Sequence, residues 1–194
     1  ALMEEDYEYT ENFDCQAALF ACDRVVLRFE GLDTVAEVWL NGKHLGDPLS
    51  MHRVWEYDVK DILQEEGNRL RVILRSPNKW IRKAHEKYGN RGNDDTFEGF
   101  MHLRKAHYMF GWDWGAHLPD AGIFRPVCLL GIERGRIDGV YIRQEHEYTG
   151  QTQPGTLRPL VRAVTLRLQV TEETAGITDG VPKLMDVTGG RVFS

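Results

Sequence analysis

Hydrophobic and polar residues alternate along much of this chain with the two-residue period of an extended strand. Val25, Leu27 and Phe29 fall on one face of a run, with Val26 and Arg28 on the other, and Gly31 ends it. Val35 to Leu40 forms a second run closed by Asn41-Gly42, and Lys43 to Gly46 returns from it. Asn-Gly between two extended runs signals a tight hairpin, because both residues tolerate the positive φ of a type I′ turn. Val54 to Val59 alternates again. Asp61-Ile62-Leu63 reads as a single helical turn, and Gly67-Asn68 reverses the chain. In Asn68 to Ser76, Leu70, Val72 and Leu74 oppose Arg69, Arg71 and Arg75, which describes a strand with one buried and one wet face. Short alternating strands with frequent turns predict an all-β sandwich or barrel of antiparallel sheets.

The pattern changes after Pro77. Trp80, Ile81, Ala84 and Tyr88 take helical spacing, which predicts one surface helix over Asn78–Tyr88. Gly89 to Gly99 is a polar, glycine-rich loop that leads into a second irregular stretch ending at Pro126, so the region reads as a long excursion laid over one edge of the sandwich. Pro126–Glu133 and Ile137–Gln144 then read as strands. Residues 1–24 are weakly patterned, with Tyr7, Tyr9 and Phe13 marking one strand. Beyond a boundary near residue 135, residues 145–160 are polar and Val164–Val170 is one clear strand. Glu172–Ser194 shows little periodicity. The chain therefore divides into a domain over residues 1–135 and the start of another β-domain over 136–194.

Composition narrows the function. The 194 residues are 42% hydrophobic, enough for a real core, and the net charge of −6 comes with no Lys/Arg run longer than two. Phosphate binding needs clustered cations, so neither nucleic acid nor an anionic membrane is expected as a partner. The longest apolar runs fall far short of the ~20 residues of a membrane span. Cys15, Cys22 and Cys128 are an odd set without a CxxC, which suggests reduced thiols and fits a cytoplasmic protein. No signal peptide is visible, although Ala1-Leu2-Met3 does not read as a natural start. No cofactor is expected: neither a dinucleotide fingerprint nor a phosphate-cradling glycine loop is present. The spacings of His85, His102, His107 and His117 match no metal motif.

Candidate chemistry centres on Gly111-Trp112-Asp113-Trp114-Gly115. A carboxylate accepts directed hydrogen bonds from neighbouring hydroxyls, while indole faces cover the C–H side of a sugar ring. On the residues alone, a Trp-rich, glycine-punctuated segment also suits a core-packing loop. Arg104 and Lys105 read either as substrate or supporting contacts or as surface charges. Arg125 reads as structural, tying loop carbonyls or a carboxylate together. The acids Asp94, Asp95 and Glu98 lie in a loop with no apolar setting to raise a pKa, so the chain carries no convincing catalytic pair for glycoside hydrolysis.

The run Leu27-Arg28-Phe29-Glu30-Gly31-Leu32-Asp33 through Val38-Trp39-Leu40-Asn41-Gly42, with Met51-His52-Arg53, Phe110-Gly111-Trp112-Asp113-Trp114-Gly115 and Ala121-Gly122-Ile123-Phe124-Arg125-Pro126, closely resembles the N-terminal sugar-binding domain of glycoside hydrolase family 2 β-mannosidases. The Gly-Leu-Asp and Val-Trp-Leu-Asn-Gly elements are shared with family β-galactosidases and β-glucuronidases, whereas Phe-Gly-Trp-Asp-Trp-Gly after Leu-Arg-Lys points to the mannosidase branch. The resemblance covers roughly residues 25–145. It implies a jelly-roll, galactose-binding-like antiparallel β-sandwich beside a (β/α)₈ barrel later in the polypeptide, with an immunoglobulin-like domain starting after the sandwich. It also implies a retaining exo-acting enzyme on terminal β-mannosides whose catalytic glutamates sit on the barrel, the acid/base one after Asn. This chain has no Asn-Glu dipeptide, which implies an N-terminal fragment without catalytic residues. Carried over, Trp112 walls the sugar, Asp113 accepts bonds from its hydroxyls, and Arg104 is a further substrate contact. Ala116-His117 departs from the branch, where Pro with another residue is common at this point. A β-galactosidase or β-glucuronidase domain, or a free-standing carbohydrate-binding module, is the alternative.

Overall fold

A computed structural model describes residues 2–90, 92, 96–111, 115–152, 159–174 and 185–192. It divides into two compact units, Ala1–Gly131 and Ile132–Ser194. The first is the jelly-roll, galactose-binding-like β-sandwich. Its strands are β1 (Tyr7–Phe13), β2 (Arg24–Phe29), β3 (Leu32–Asp33), β4 (Ala36–Leu40), β5 (Lys43–Gly46), β6 (Trp55–Asp58), β7 (Asn68–Leu74), β8 (Gly122–Ile123) and β9 (Val127–Ile132). They form a four-stranded sheet in the order β1-β7-β4-β5, a three-stranded sheet β6-β2-β9, and the short pair β3-β8.

The alternation in the sequence becomes the sandwich core. Val38 and Leu40 of β4 and Val72 and Leu74 of β7 meet Val25, Leu27 and Phe29 from the β2 side, with Leu32 and Val59 between them. Each such side chain taken fully out of water stabilises the fold by about 1.5–3 kcal/mol. Val26, on the other face of β2, is buried as well. The expected hairpin is present: Asn41 and Gly42 take φ of 51° and 79°, the left-handed pair of a type I′ turn. Asn41 also reaches across the molecule. Its Nδ2 donates to the Ile62 carbonyl at 2.7 Å and to Asn68 Oδ1 at 2.9 Å, and its Oδ1 accepts from Arg69 N at 2.8 Å.

One substantial helix follows, α2 (Pro77–Tyr88), after a four-residue α1 (Ala17–Phe20) that sequence patterning does not reveal. Ser76 caps α2 by accepting from Lys79 N at 3.1 Å, Pro77 stands in the first turn, and Ile81 and Ala84 face inward. The single helical turn expected at Asp61–Leu63 is present, with Ile62 N and Leu63 N both donating to the Val59 carbonyl at 3.0 Å, the second closing an i→i+4 ring. No helix among the described residues is long and apolar enough to cross a membrane.

The second unit is a three-stranded antiparallel sheet of β10 (Gly135–Thr152), β11 (Pro159–Thr174) and β12 (Met185–Val192). Pairing here extends well past the strands expected from Ile137–Gln144 and Val164–Val170. Ile137, Val140, Tyr141 and Ile142 are all more than half exposed, so backbone pairing rather than a buried face defines β10. Hydropathy periodicity has no buried face to report there.

Candidate functional site

The excursion between α2 and β8 is held by its own small core. Leu103 and Phe110 are buried with Val35 and Ile81, and Trp80, Phe97 and Phe100 pack around them. From Leu103 to Lys105 the chain is extended, so alternate side chains turn opposite ways: Leu103 and Lys105 are buried and Arg104 is exposed. The backbone of Arg104 is fixed by a parallel bridge to Ser50 and by Met51 N, which donates to its carbonyl at 3.1 Å. The Met51-His52-Arg53 and Leu103-Arg104-Lys105 segments are thus neighbours. Among the described residues the Arg104 guanidinium meets no hydrogen-bond or ion-pair partner.

Lys105 is neither a substrate contact nor a surface charge. Its side chain is completely enclosed; Nζ pairs with Asp33 Oδ2 and donates to the Asp120 carbonyl at 2.6 Å. Thr34 Oγ1 donates to the other oxygen of Asp33. An ammonium taken out of water must be paired and hydrogen-bonded, and Asp33 meets that demand from the end of β3.

The limbs of the Trp-rich loop lie side by side. Leu118 N donates to the Met109 carbonyl at 3.0 Å, and Phe110 is anchored against Phe97 and Phe100, with ring centroids 5.5 and 5.6 Å away. Gly111 adopts φ +81°, and a Cβ there would stand 2.7 Å from His117 Cδ2 and 3.0 Å from the Gly115 carbonyl oxygen. Glycine is therefore required at this position on both conformational and steric grounds. His117, at the position that departs from the mannosidase branch, is the residue that lies against it. Trp112, Asp113 and Trp114 fall outside the described residues, so of the three residues singled out as sugar contacts the structure describes Arg104 alone.

Other sequence expectations fare differently. Arg125 is exposed, and its guanidinium lies 5.5 Å from the Phe124 ring centroid; among the described residues it ties down no carbonyl or carboxylate. Asp94 and Asp95 are outside the described residues. Glu98 is exposed, with Oε1 3.3 Å from His85 Nε2. Among the described residues no three His, Cys, Asp or Glu side chains converge as a metal site. Sequence patterning gave no sign of an apolar cleft of about 260 Å³ beside the outgoing limb, bounded by Tyr7, Tyr9, Pro77, Pro119, Asp120 and Ala121. Its walls come from three separate parts of the chain, which only the fold brings together.

Residues 1–125 match the family model described as "Glycosyl hydrolase 2 galactose-binding domain-like", and the chain belongs to that family. It is 35% identical over 122 residues to "Beta-mannosidase B" of Thermothelomyces thermophilus, covering 61% of this chain and 14% of that protein. It is 30% identical over 142 residues to "Beta-mannosidase" of Mus musculus, covering 69% and 16%. The crystal structure of a β-D-mannosidase from Dictyoglomus thermophilum superposes on all of this chain with a TM-score of 0.77 at 28% identity, over 24% of that chain. A Bifidobacterium dentium β-glucuronidase shares the fold, with a TM-score of 0.54 at 20% identity over 86% of this chain and 27% of the other. The chain thus spans about a seventh of the length of the curated relatives it matches.

Proposed function

We propose that this chain is the sugar-binding domain of a retaining exo-β-mannosidase and forms one wall of the subsite for the terminal β-D-mannose. Trp112 covers the C–H face of the sugar, Asp113 accepts hydrogen bonds from its hydroxyls, and Arg104 donates from the flank. The acid/base and nucleophile glutamates belong to a (β/α)₈ barrel of the same polypeptide, so the 194 residues alone hydrolyse nothing. Residues 136–194 are the start of an immunoglobulin-like domain between sandwich and barrel. The observation that carries this reading is the construction of the loop: limbs bonded at Met109 and Leu118, a buried Phe110 anchor, and the Phe-Gly-Trp-Asp-Trp-Gly sequence between them. The names of the relatives at 35% and 30% identity point the same way.

Calorimetric titration of the isolated chain with methyl β-mannoside tests whether it is part of a pocket or a whole one. Little or no heat is expected. Saturable binding with Kd near or below about 10 μM, worth roughly 7 kcal/mol, would contradict the reading and favour a free-standing binding module. A panel of p-nitrophenyl β-mannoside, β-galactoside and β-glucuronide on the barrel-bearing polypeptide tests the sugar, with the mannoside expected to be turned over fastest.

A further inference from the structure

The four-stranded sheet turns one face to the core and carries its charges on the other. Across that outer face the strand register sets Thr10, Arg71, Trp39 and His44 in one row, from β1 through β7 and β4 to β5. Three arginines follow one another along the β7 side of it. Arg75 pairs with Asp6 at 2.9 Å and with Glu37 at 2.6 Å, and Arg71 pairs with Glu8 at 2.9 Å. Arg69 is exposed, and among the described residues its guanidinium meets no hydrogen-bond or ion-pair partner. Here the surface opens into a cavity of about 480 Å³ lined by Glu8, Trp39, Gly42, Arg69 and Arg71. The His44 ring packs on the indole of Trp39, with centroids 4.7 Å apart, and the hairpin end stays open because a Cβ on Gly42 would meet nothing within 4 Å.

Donors and acceptors are out of balance in this cavity. Glu8 is the one carboxylate in its lining, and it is already engaged by Arg71 and by Thr10 Oγ1 at 3.3 Å. The guanidinium of Arg69 brings a planar fork of N–H donors with no protein acceptor, and a carboxylate has the two oxygens that fit such a fork. Beside it the indole offers a flat apolar surface suited to the carbon face of a ring. A ligand that uses both groups carries its carboxylate on a ring.

We propose that the outer face of the four-stranded sheet is a second binding site, for a ring-bearing carboxylate held by Arg69 with its ring against Trp39. Sugar acids and aromatic acids share that chemistry. The site takes no residue from the Trp-rich loop and needs no barrel, so it stands or falls independently of the mannosidase reading.

The ¹⁵N-labelled 194-residue chain, titrated in ¹H–¹⁵N spectra, tests the site with D-glucuronate against D-glucose and benzoate against benzamide. The Trp39 indole signal is assigned by Trp39→Phe. At least one acid, and neither neutral partner, is expected to shift that signal and the Gly42 amide saturably, with Kd on the order of 1 mM for ligands of this size. Which acid responds separates the two sources. Arg69→Gln changes an exposed side chain, so Tm should hold while Kd rises by about 5-fold or more as the charge-assisted bonds are lost. The proposal is overturned if neither acid shifts these signals at tens of millimolar, if an acid and its neutral partner shift them alike, or if Arg69→Gln binds as the wild type does.

Discussion

The ring of Phe124 fills the space that a side chain on residue 31 would need: a Cβ built on Gly31 would lie 2.6 Å from Phe124 Cζ. Phe124 N donates to the Gly31 carbonyl at 3.3 Å, so backbone and ring register the same contact. Two stretches that carry the family resemblance, Gly-Leu-Asp and Ala-Gly-Ile-Phe-Arg-Pro, are thereby explained as partners in one packing. Gly31→Ala is expected to destabilise by about 1–2 kcal/mol through overpacking, moderated because the half-exposed ring can swing outward. In a Phe124→Ala background the same change should cost much less. Urea denaturation of the four members of this cycle measures the coupling, and strict additivity would show that the contact carries no energy.

Asn68 is fully buried and uses both ends of its amide. Nδ2 donates to the Gln64 carbonyl at 2.6 Å and the Phe13 carbonyl at 3.3 Å, while Oδ1 accepts from Asn41 Nδ2 and Gln64 N, each at 2.9 Å. Asn68→Leu leaves these groups without partners and is expected to cost about 3 kcal/mol or more, read from chemical denaturation. Asn68→Asp keeps the acceptor and loses the donor. Its deficit should be greatest at neutral pH and shrink in acid, as the carboxyl gains a proton it can donate.

Glu4 ties the N-terminal turn to α2. Arg82 donates to both its oxygens, at 3.1 Å to Oε1, and Asn78 Nδ2 donates to Oε1 at 2.9 Å. Led by the Arg82 hydrogen bond, these contacts lower its pKa from the ordinary 4.5 to about 2. A depressed carboxylate contributes stability that is fully present above the unfolded value and is lost as pH falls through the folded one. The loss therefore falls between pH 4.5 and about 2. Glu4→Gln should flatten that part of a Tm-against-pH curve and leave its shape above pH 6 unchanged. A wild-type curve that is already flat there would show the bridge to be idle.

Arg104 is exposed and its backbone is held by Ser50 and Met51, while among the described residues its side chain meets no hydrogen-bond or ion-pair partner. Arg104→Ala is accordingly expected to change stability by no more than about 0.5 kcal/mol. In the barrel-bearing polypeptide it should weaken mannoside turnover by about 1.5–3 kcal/mol if a charge-assisted bond is lost. Thermal melts and kcat/KM on the same variant separate the two.

The sandwich was legible because its strands bury one face: Val25, Leu27 and Phe29 declare β2, and Asn41-Gly42 declares the hairpin. Pro77 with Ile81 and Ala84 declares α2 in the same local way. Where structure is decided across the chain, patterning fails. β3 and β8 are two residues each and exist only because Leu32 and Asp33 meet Ile123 and Gly122. Lys105 looks like half of a surface Arg-Lys pair until the fold brings Asp33 to it across 72 positions. β10 was legible only over Ile137–Gln144; its extension to Thr152 carries little hydropathy signal, since residues 145–150 are exposed. The candidate site was read from residue chemistry and family motif; the structure contributes the loop's bonded limbs and the outward placement of Arg104.

The central claim is that Asp113 contacts the sugar, and kcat/KM for p-nitrophenyl β-mannoside in the barrel-bearing polypeptide measures it directly. Sugar hydroxyl contacts strengthen in the transition state, so Asp113→Ala should lower kcat/KM by about 2–4 kcal/mol, roughly 30- to 1000-fold, with Tm unchanged. An Asp113→Ala variant with wild-type kcat/KM would contradict the claim.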